Sequence, residues 1–157
     1  MAHDDGFTFT FETALAASAG EVWEHATSLE GVNRELAPLA RMAAPPGMRI
    51  PRANEFVPGK VLLRSWIYVL GFLPVDYDDV TLCEIEDGRR FLERSPMLTQ
   101  KLWEHERTIE PTATGCILRD RIRFEPRVRA AARLQLAVYR MVFANRHRNL
   151  ARMFGRG

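Results

Sequence analysis

His105 and Asp120 are the residues whose types and spacing best suit chemistry, because both read as inward-facing on paired strands. A carboxylate beside an imidazole fixes its tautomer and raises its basicity, and an ordinary histidine pKa of about 6.5 suits proton transfer near neutrality. Such a dyad fits reactions that need a proton moved. His105 would shuttle the proton, Asp120 would orient it, and Arg107 or Tyr68 would hold an oxyanion. The same residues also read as a buried polar pair that satisfies itself and pins the strand register, since an unpaired buried charge is costly. Arg107 shares their face and either neutralises Asp120 or binds a carboxylate or phenolate.

The stretch that must position them is LWEHERTIEPTATGCILRDRIRFEP, Leu102 to Pro126. It reads as two strands around a turn containing Pro111, Thr112, Ala113, Thr114 and Gly115. Strand side chains alternate, so Trp103, His105, Arg107 and Ile109 share one face with Cys116, Leu118, Asp120, Ile122 and Phe124. Glu104, Glu106 and Thr108 take the other face, opposite Arg119, Arg121 and Arg123, a favourable cross-strand charge pattern. With Glu110 opposite Gly115, this register sets His105 opposite Asp120.

Other candidates are weaker in chemistry. Trp66, Tyr68, Trp103, Phe124, Tyr139 and Phe143 are placed to line a cavity and stack on a flat ligand, or are simply core. His147 sits on an apolar helical stripe, packed there or touching a ligand. His25 has no partner that can be named. The acidic run VDYDDV, with Asp76, Tyr77, Asp78 and Asp79, reads as a solvated strand end or as a salt-bridge partner for the arginine-rich C-terminal helix rather than a metal site. No nucleophile signature, glycine-rich phosphate loop or zinc spacing is present, which argues against hydrolases, kinases and nucleotide enzymes. No metal and no cofactor is expected.

At 157 residues, 46% hydrophobic and 27% charged, the chain is expected to be a single domain, 1–157, with a substantial core. A formal charge of +2 gives no reason to expect nucleic acid. The arginines are concentrated from Arg127 to Arg156, a segment with no acid, and read as a solvated helix face rather than a membrane or nucleic-acid surface. No run of about 20 apolar residues suggests a membrane span. MAHDDG lacks the basic and apolar regions of a secretion signal. Cys83 and Cys116 stand far apart without metal-like spacing, as expected for a reduced, cytoplasmic setting. Oligomeric state is not legible.

In chain order, FTFTFETAL alternates as a half-buried strand. Ser18 and Glu21 have capping-box spacing, and the helix they open is expected to break at Gly31 into two short helices, the second ending near Pro38. A strand entry at Met48–Ile50 and a loop follow. Lys60 to Leu73 favours a strand by its β-branched and aromatic content. A further strand ends near Glu86, Asp87-Gly88 turns a hairpin, and Arg89 to Arg94 is short. Beyond Pro126, a helix from near Arg129 to Phe154 carries two apolar stripes: Leu136, Tyr139, Phe143, His147, Leu150 and Phe154, and beside them Leu134, Val138, Met141 and Val142. Both stripes are expected to lie across the sheet. The fold class is α+β: a curved antiparallel sheet of about six to seven strands gripping the C-terminal helix, with two short helices after the first strand.

This order, with WEHE before RDRIRFEPR, GRRFLERSPM at Gly88 to Met97 and FANRHRNLARMFG at Phe143 to Gly155, resembles the SRPBCC superfamily of START-like helix-grip proteins. The resemblance is to its bacterial ligand-binding and polyketide-cyclase-like branch. It implies a cavity between sheet and helix that takes a hydrophobic small molecule: a lipid, polyketide or aromatic metabolite. Three readings stand: binding without chemistry, an aromatase/cyclase-like enzyme using His105 and Asp120, and an interaction or membrane-surface module using the basic helix, without stable insertion.

Overall fold

A computed structural model describes residues 6–157. The stretch read above as lacking a secretion signal lies, except for Gly6, outside them. Strand β1 (Phe7–Leu15) alternates as its sequence does, burying Phe9 and Leu15 and exposing Thr8 and Thr10. Ser18 then opens helix α1 (Ala19–Ala26) with a complete capping box: its Oγ accepts from the Glu21 N–H at 3.3 Å, and Glu21 Oε2 accepts from the Ser18 N–H at 3.0 Å.

The break between the short helices falls at Thr27–Ser28 rather than Gly31. Ser28 caps α2 (Leu29–Leu36), its Oγ accepting from the Gly31 N–H at 3.0 Å. Glycine is required at 31 for close approach: a Cβ there would lie 1.9 Å from the His25 carbonyl oxygen.

Strand β2 (Ala40–Met42) has no periodic signal in the sequence. Asn33 helps to define it, since its amide accepts from the Met42 N–H at 2.8 Å and donates to the Met42 carbonyl at 2.9 Å. The strand entry expected at Met48–Ile50 is instead an isolated bridge between Ser28 and Arg49. Then come β3 (Val61–Val69), β4 (Leu73–Glu86), β5 (Arg90–Ser95), β6 (Gln100–Thr112) and β7 (Gly115–Pro126). The apolar run from Lys60 is thus a strand, which turns at Leu70 and Gly71, both with positive φ, before β4 begins.

These strands form a seven-stranded antiparallel sheet in the order β1-β7-β6-β5-β4-β3-β2, curled into a half-barrel. Register shifts within the β3–β4, β4–β5 and β6–β7 pairs accompany the curl. The first two strands lie at opposite edges, so α1 and α2 must cross from one edge to the other. Helix α3 (Ala132–Phe154), after a single 3-10 turn, packs on β1 and α2. Phe143, His147 and Leu150 are buried. The neighbouring stripe does not lie on the sheet as expected. Leu134 and Met141 are exposed, and Leu134, Val138 and Val142 border an open space under β3, β4 and β5.

The β6–β7 hairpin turns on Ala113 and Thr114 alone, because both strands continue to the Thr112–Gly115 pair. Its ladder is therefore two residues from the expected register: Arg107 stands opposite Asp120, and His105 opposite Ile122. A shift of two leaves every side chain on its face. Glu104 and Glu106 still oppose Arg123 and Arg121, and all nine inward residues are buried.

Candidate functional site

Between two apolar clusters, one around Val22, Ile109, Leu118 and Leu150 and the other around Phe9, Trp103, Ile122 and Phe143, lies a buried charge network. Arg107 is its centre. Its Nε and Nη2 donate to Asp120 Oδ1 and Oδ2, both at 2.7 Å, and its Nη1 and Nη2 donate to Glu35 Oε1 and Oε2 at 2.8 and 2.9 Å. These three side chains have no solvent exposure. Arg146 of α3 adds a second guanidinium on Glu35 Oε2, with Nε at 2.9 Å and Nη2 at 2.8 Å. Two arginines and two carboxylates balance, so the cluster can be buried without net charge.

The histidines complete it. His105 Nε2 lies 2.7 Å from Asp120 Oδ1, and His147 Nε2 lies 2.9 Å from Asp120 Oδ2. An ionised carboxylate only accepts, so both imidazoles present Nε2–H to it. The Thr13 hydroxyl lies 2.7 Å from His147 Nδ1 and shares a hydrogen bond with it. His25 Nε2 lies 3.3 Å from Glu35 Oε1. Burial alone would raise the Asp120 and Glu35 carboxyls; the adjoining guanidiniums hold both well below the ordinary carboxylate range. Burial equally opposes charge on Arg107, and the two carboxylates reverse that, keeping it charged.

A cavity of about 400 Å³ opens beside this network, between β3–β6, the α1–α2 segment and α3. Its wall is largely aliphatic, with Leu36, Leu63, Ile67, Leu82 and Val142 among its members. Trp103, Tyr139 and Phe143 line it as expected, Trp103 and Tyr139 meeting edge-on with centroids 5.0 Å apart. Burial raises the Tyr139 phenol, whose oxygen accepts from Gln100 Nε2 at 2.8 Å. His105 also borders the cavity, so it touches both the charge network and the open space.

Other expected lining residues lie elsewhere. Alternation along β3 turns Leu63, Ser65, Ile67 and Val69 inward, which puts Trp66 and Tyr68 on the outer face. There Trp66 packs edge-on against Tyr77 and Arg41 covers the Tyr68 ring. Phe124 is fully buried against Phe7 and Tyr139, behind the cavity wall. Arg107 and His147 give their polar atoms to the protein's own groups.

The acidic run corrects a second expectation. Asp79 does lie on the outer face, paired with Arg64 at 2.7 Å. Asp76 and Asp78 are buried and line the cavity, together with Glu93 of β5. Asp76 accepts from the Thr99 hydroxyl and from the Tyr77 and Thr99 N–H groups. Glu93 Oε1 accepts from Ser95 Oγ at 2.6 Å, and Ser95 Oγ accepts from the Thr81 N–H at 3.0 Å. Burial first, and then the neighbouring Glu93, pushes the Asp78 carboxyl well above its ordinary range, which favours its protonated form. Asp78 Oδ1 has no hydrogen-bond partner within the protein. Among the described residues, no group of three His, Cys, Asp or Glu side chains is arranged to hold a metal ion.

Glu35 and Glu93 are not among the functional positions read from the sequence, and Asp78 and Arg146 stand in other surroundings than the strand end and basic helix face expected for them. For Asp78 and Glu93 a signal existed: Asp76, Asp78, Val80 and Leu82 alternate on one face of β4, and Phe91, Glu93 and Ser95 on one face of β5. Glu35 and Arg146 carried none, because each is buried by a partner distant in the chain.

Solved structures resemble this fold across nearly its whole length. CV1439 from Chromobacterium violaceum is 12% identical, with a TM-score of 0.67 over 96% of this chain and 98% of its own. DynU16, a protein in the dynemicin biosynthetic locus, is 17% identical, with a TM-score of 0.60 over 98% of this chain. The di-domain ARO/CYC StfQ from the steffimycin biosynthetic pathway is 12% identical, with a TM-score of 0.63 over 96% of this chain. This chain spans half the length of each of the latter two. No curated protein matches the sequence. Residues 13–154 match the model of the family described as a domain of unknown function, DUF8410, and the chain belongs to that family.

Proposed function

We propose that the protein binds a hydrophobic small molecule, of the lipid, polyketide or aromatic-metabolite kind, in the cavity between the sheet and α3. The observation that carries this reading is the cavity itself: about 400 Å³, walled mainly by aliphatic and aromatic side chains, with few polar groups converging on it. That is the usual constitution of a small-molecule site. The likeness to StfQ and DynU16 bears on fold alone, so the ligand class rests on the cavity wall. Trp103, Tyr139 and Phe143 are the proposed aromatic contacts.

The test is occupancy. Native mass spectrometry of protein from its own host is expected to reveal a copurifying small molecule. Val142→Trp, which fills the cavity from α3, is expected to abolish binding of an uncharged fluorescent dye while leaving far-UV circular dichroism unchanged. Dye binding unaffected by Val142→Trp would sink the reading.

A second reading is favoured by one observation: His105 borders the cavity with its Nε2 committed to Asp120. Here His105 Nδ1 is the proton-transferring atom of a cyclase-like reaction. Asp120, its charge balanced by Arg107, fixes the tautomer. Full turnover of a candidate substrate by His105→Ala would remove this reading. The membrane-surface reading is weakened, because Arg146 is consumed inside the charge network. Among the described residues, no helix is long and apolar enough to cross a membrane.

A further inference from the structure

The cavity wall carries two kinds of buried acid. Glu35 and Asp120, behind it, are each bridged by guanidiniums. Asp78 and Glu93, on it, are bridged by none among the described residues. From β4, Asp76 faces the same space, with its oxygens committed to Thr99 and Tyr77. From β6, His105 Nδ1 comes no nearer than 4.0 Å to Glu93 Oε2. From α3, Arg146 is held by Glu35. From the loop after β2, Arg49 bonds Glu24 at 2.6 Å. The serine on β5 supplies one hydrogen bond to Glu93 and no charge. Asp78 and Glu93 are only 4% and 8% exposed, yet Asp78 Oδ1 is unpartnered. An apolar pocket thus carries on its wall two buried acids with no cationic partner among the described residues, one of them with an unpartnered oxygen, where a buried polar group ordinarily finds a partner.

We infer that this acidic pole recognises a cation, and that the cavity's ligand is an apolar molecule bearing a protonated amine rather than an anionic amphiphile such as a fatty acid. The inference rests on the cavity-binding reading and specifies its ligand class. An ammonium group supplies what the pair lacks, a positive charge, and a turn of the buried Asp78 carboxyl toward it gives Oδ1 the donor it lacks. A neutral hydroxyl supplies only the donor. A carboxylate or sulfate head adds a like charge and is repelled.

The experiment displaces Nile red, an uncharged dye, with decylammonium, decanol and decyl sulfate, which share a chain and differ in head group. At pH 7.5 and low salt, decylammonium is expected to displace the dye at concentrations about tenfold below decanol, and decyl sulfate above both. The Asp78→Asn, Glu93→Gln double variant is expected to bring decylammonium and decanol within about twofold. Unchanged decanol binding shows that the variant's cavity is intact. If the variant loses decanol binding too, the single Glu93→Gln variant decides. The preference for decylammonium over decanol is expected to shrink to within about threefold in Glu93→Gln alone, and a preference unchanged by that single substitution overturns the inference. Decyl sulfate binding as tightly as decylammonium, or a preference that survives the double substitution, overturns it while leaving the cavity reading intact. Failure of Nile red and all three chains to bind overturns the cavity reading itself.

Discussion

Replacing Arg107 with methionine tests whether the charge network is structural. Methionine roughly retains the apolar stem, so the perturbation is mainly the loss of a guanidinium that makes four hydrogen bonds to two carboxylates. Hydrogen bonds to charged groups contribute roughly 1.5–3 kcal/mol each. Their sum overstates the loss, because the variant also escapes the cost of burying the guanidinium. What remains is an orphaned negative charge: Asp120 keeps only His105 and His147, while Glu35 keeps Arg146. Breaking a buried pair in this way costs about 3–5 kcal/mol. For a domain of this size that corresponds to a fall in Tm of roughly 6–20 °C. The assay is urea denaturation followed by circular dichroism, with the midpoint expected to fall at constant m-value. Adding Asp120→Asn removes the orphan charge, so the double variant is expected to recover part of the loss. A single-variant loss below about 1 kcal/mol, a value typical of exposed pairs, would refute the picture of a dehydrated network centred on Arg107.

Three further outcomes follow from the same structure. Asp78→Asn is expected to stabilise the protein by about 1–2 kcal/mol at pH 7–8. The folded-state carboxyl is raised by burial and Glu93, so its stabilising protonated form is lost as pH rises, and the gain from asparagine should vanish toward pH 4 in a Tm series. Glu35 and Asp120 carry the opposite sign. Both are depressed in the folded state, so their contribution is fully present above the ordinary carboxylate range and is lost as pH falls below about 4 toward their lowered values. Wild-type Tm is therefore expected to drop mainly in that acid window, and Arg107→Met is expected to flatten the drop. Ser18→Ala removes the capping box of α1 and is expected to cost about 1 kcal/mol by urea denaturation, independently of Arg107→Met.

Local periodicity made most of this architecture legible. The alternation of β1, the capping-box spacing at Ser18 and the amphipathic faces of β6 and β7 depend on residues a few positions apart, and each appears in the structure. The turn of the β6–β7 hairpin is also local, but Pro111 and Thr112 suggested a wider loop than the two residues used. That error moved the register by two and left the faces intact, so His105 and Asp120 were correctly placed inward but wrongly paired. Partners across the chain were out of reach. No spacing in LEGVNREL or FANRHRN announces that Glu35 and Arg146 meet, because α2 and α3 are brought together only by the curl of the sheet. On β3 the alternation was visible, but hydrophobicity drew Trp66 and Tyr68 inward when their backbone phase points them out.

The two sets of inner acids exchange the roles that residue type suggests. His105, Arg107 and Asp120 look like chemistry, yet Asp120 has both oxygens filled by Arg107, His105 and His147, and its charge is balanced. A group so fully paired has little left to offer a ligand, and its energetic effect is to hold β6, β7, α2 and α3 in one arrangement. Asp78 reads as part of a solvated strand end and Glu93 as one position of a short strand, yet both line an apolar cavity, where burial raises the Asp78 carboxyl and leaves its Oδ1 unpartnered, an arrangement that costs stability at neutral pH. Polar groups that weaken a fold in this way concentrate where function needs them. His105 joins the two sets, one nitrogen on Asp120 and the other turned toward Glu93. A bound ammonium would therefore meet a pole whose far side is locked by Arg107. Arg107→Met is accordingly expected to loosen head-group selectivity only as far as it lets His105 move, whereas Asp78→Asn together with Glu93→Gln removes that selectivity, and Asp78→Asn alone makes the fold firmer.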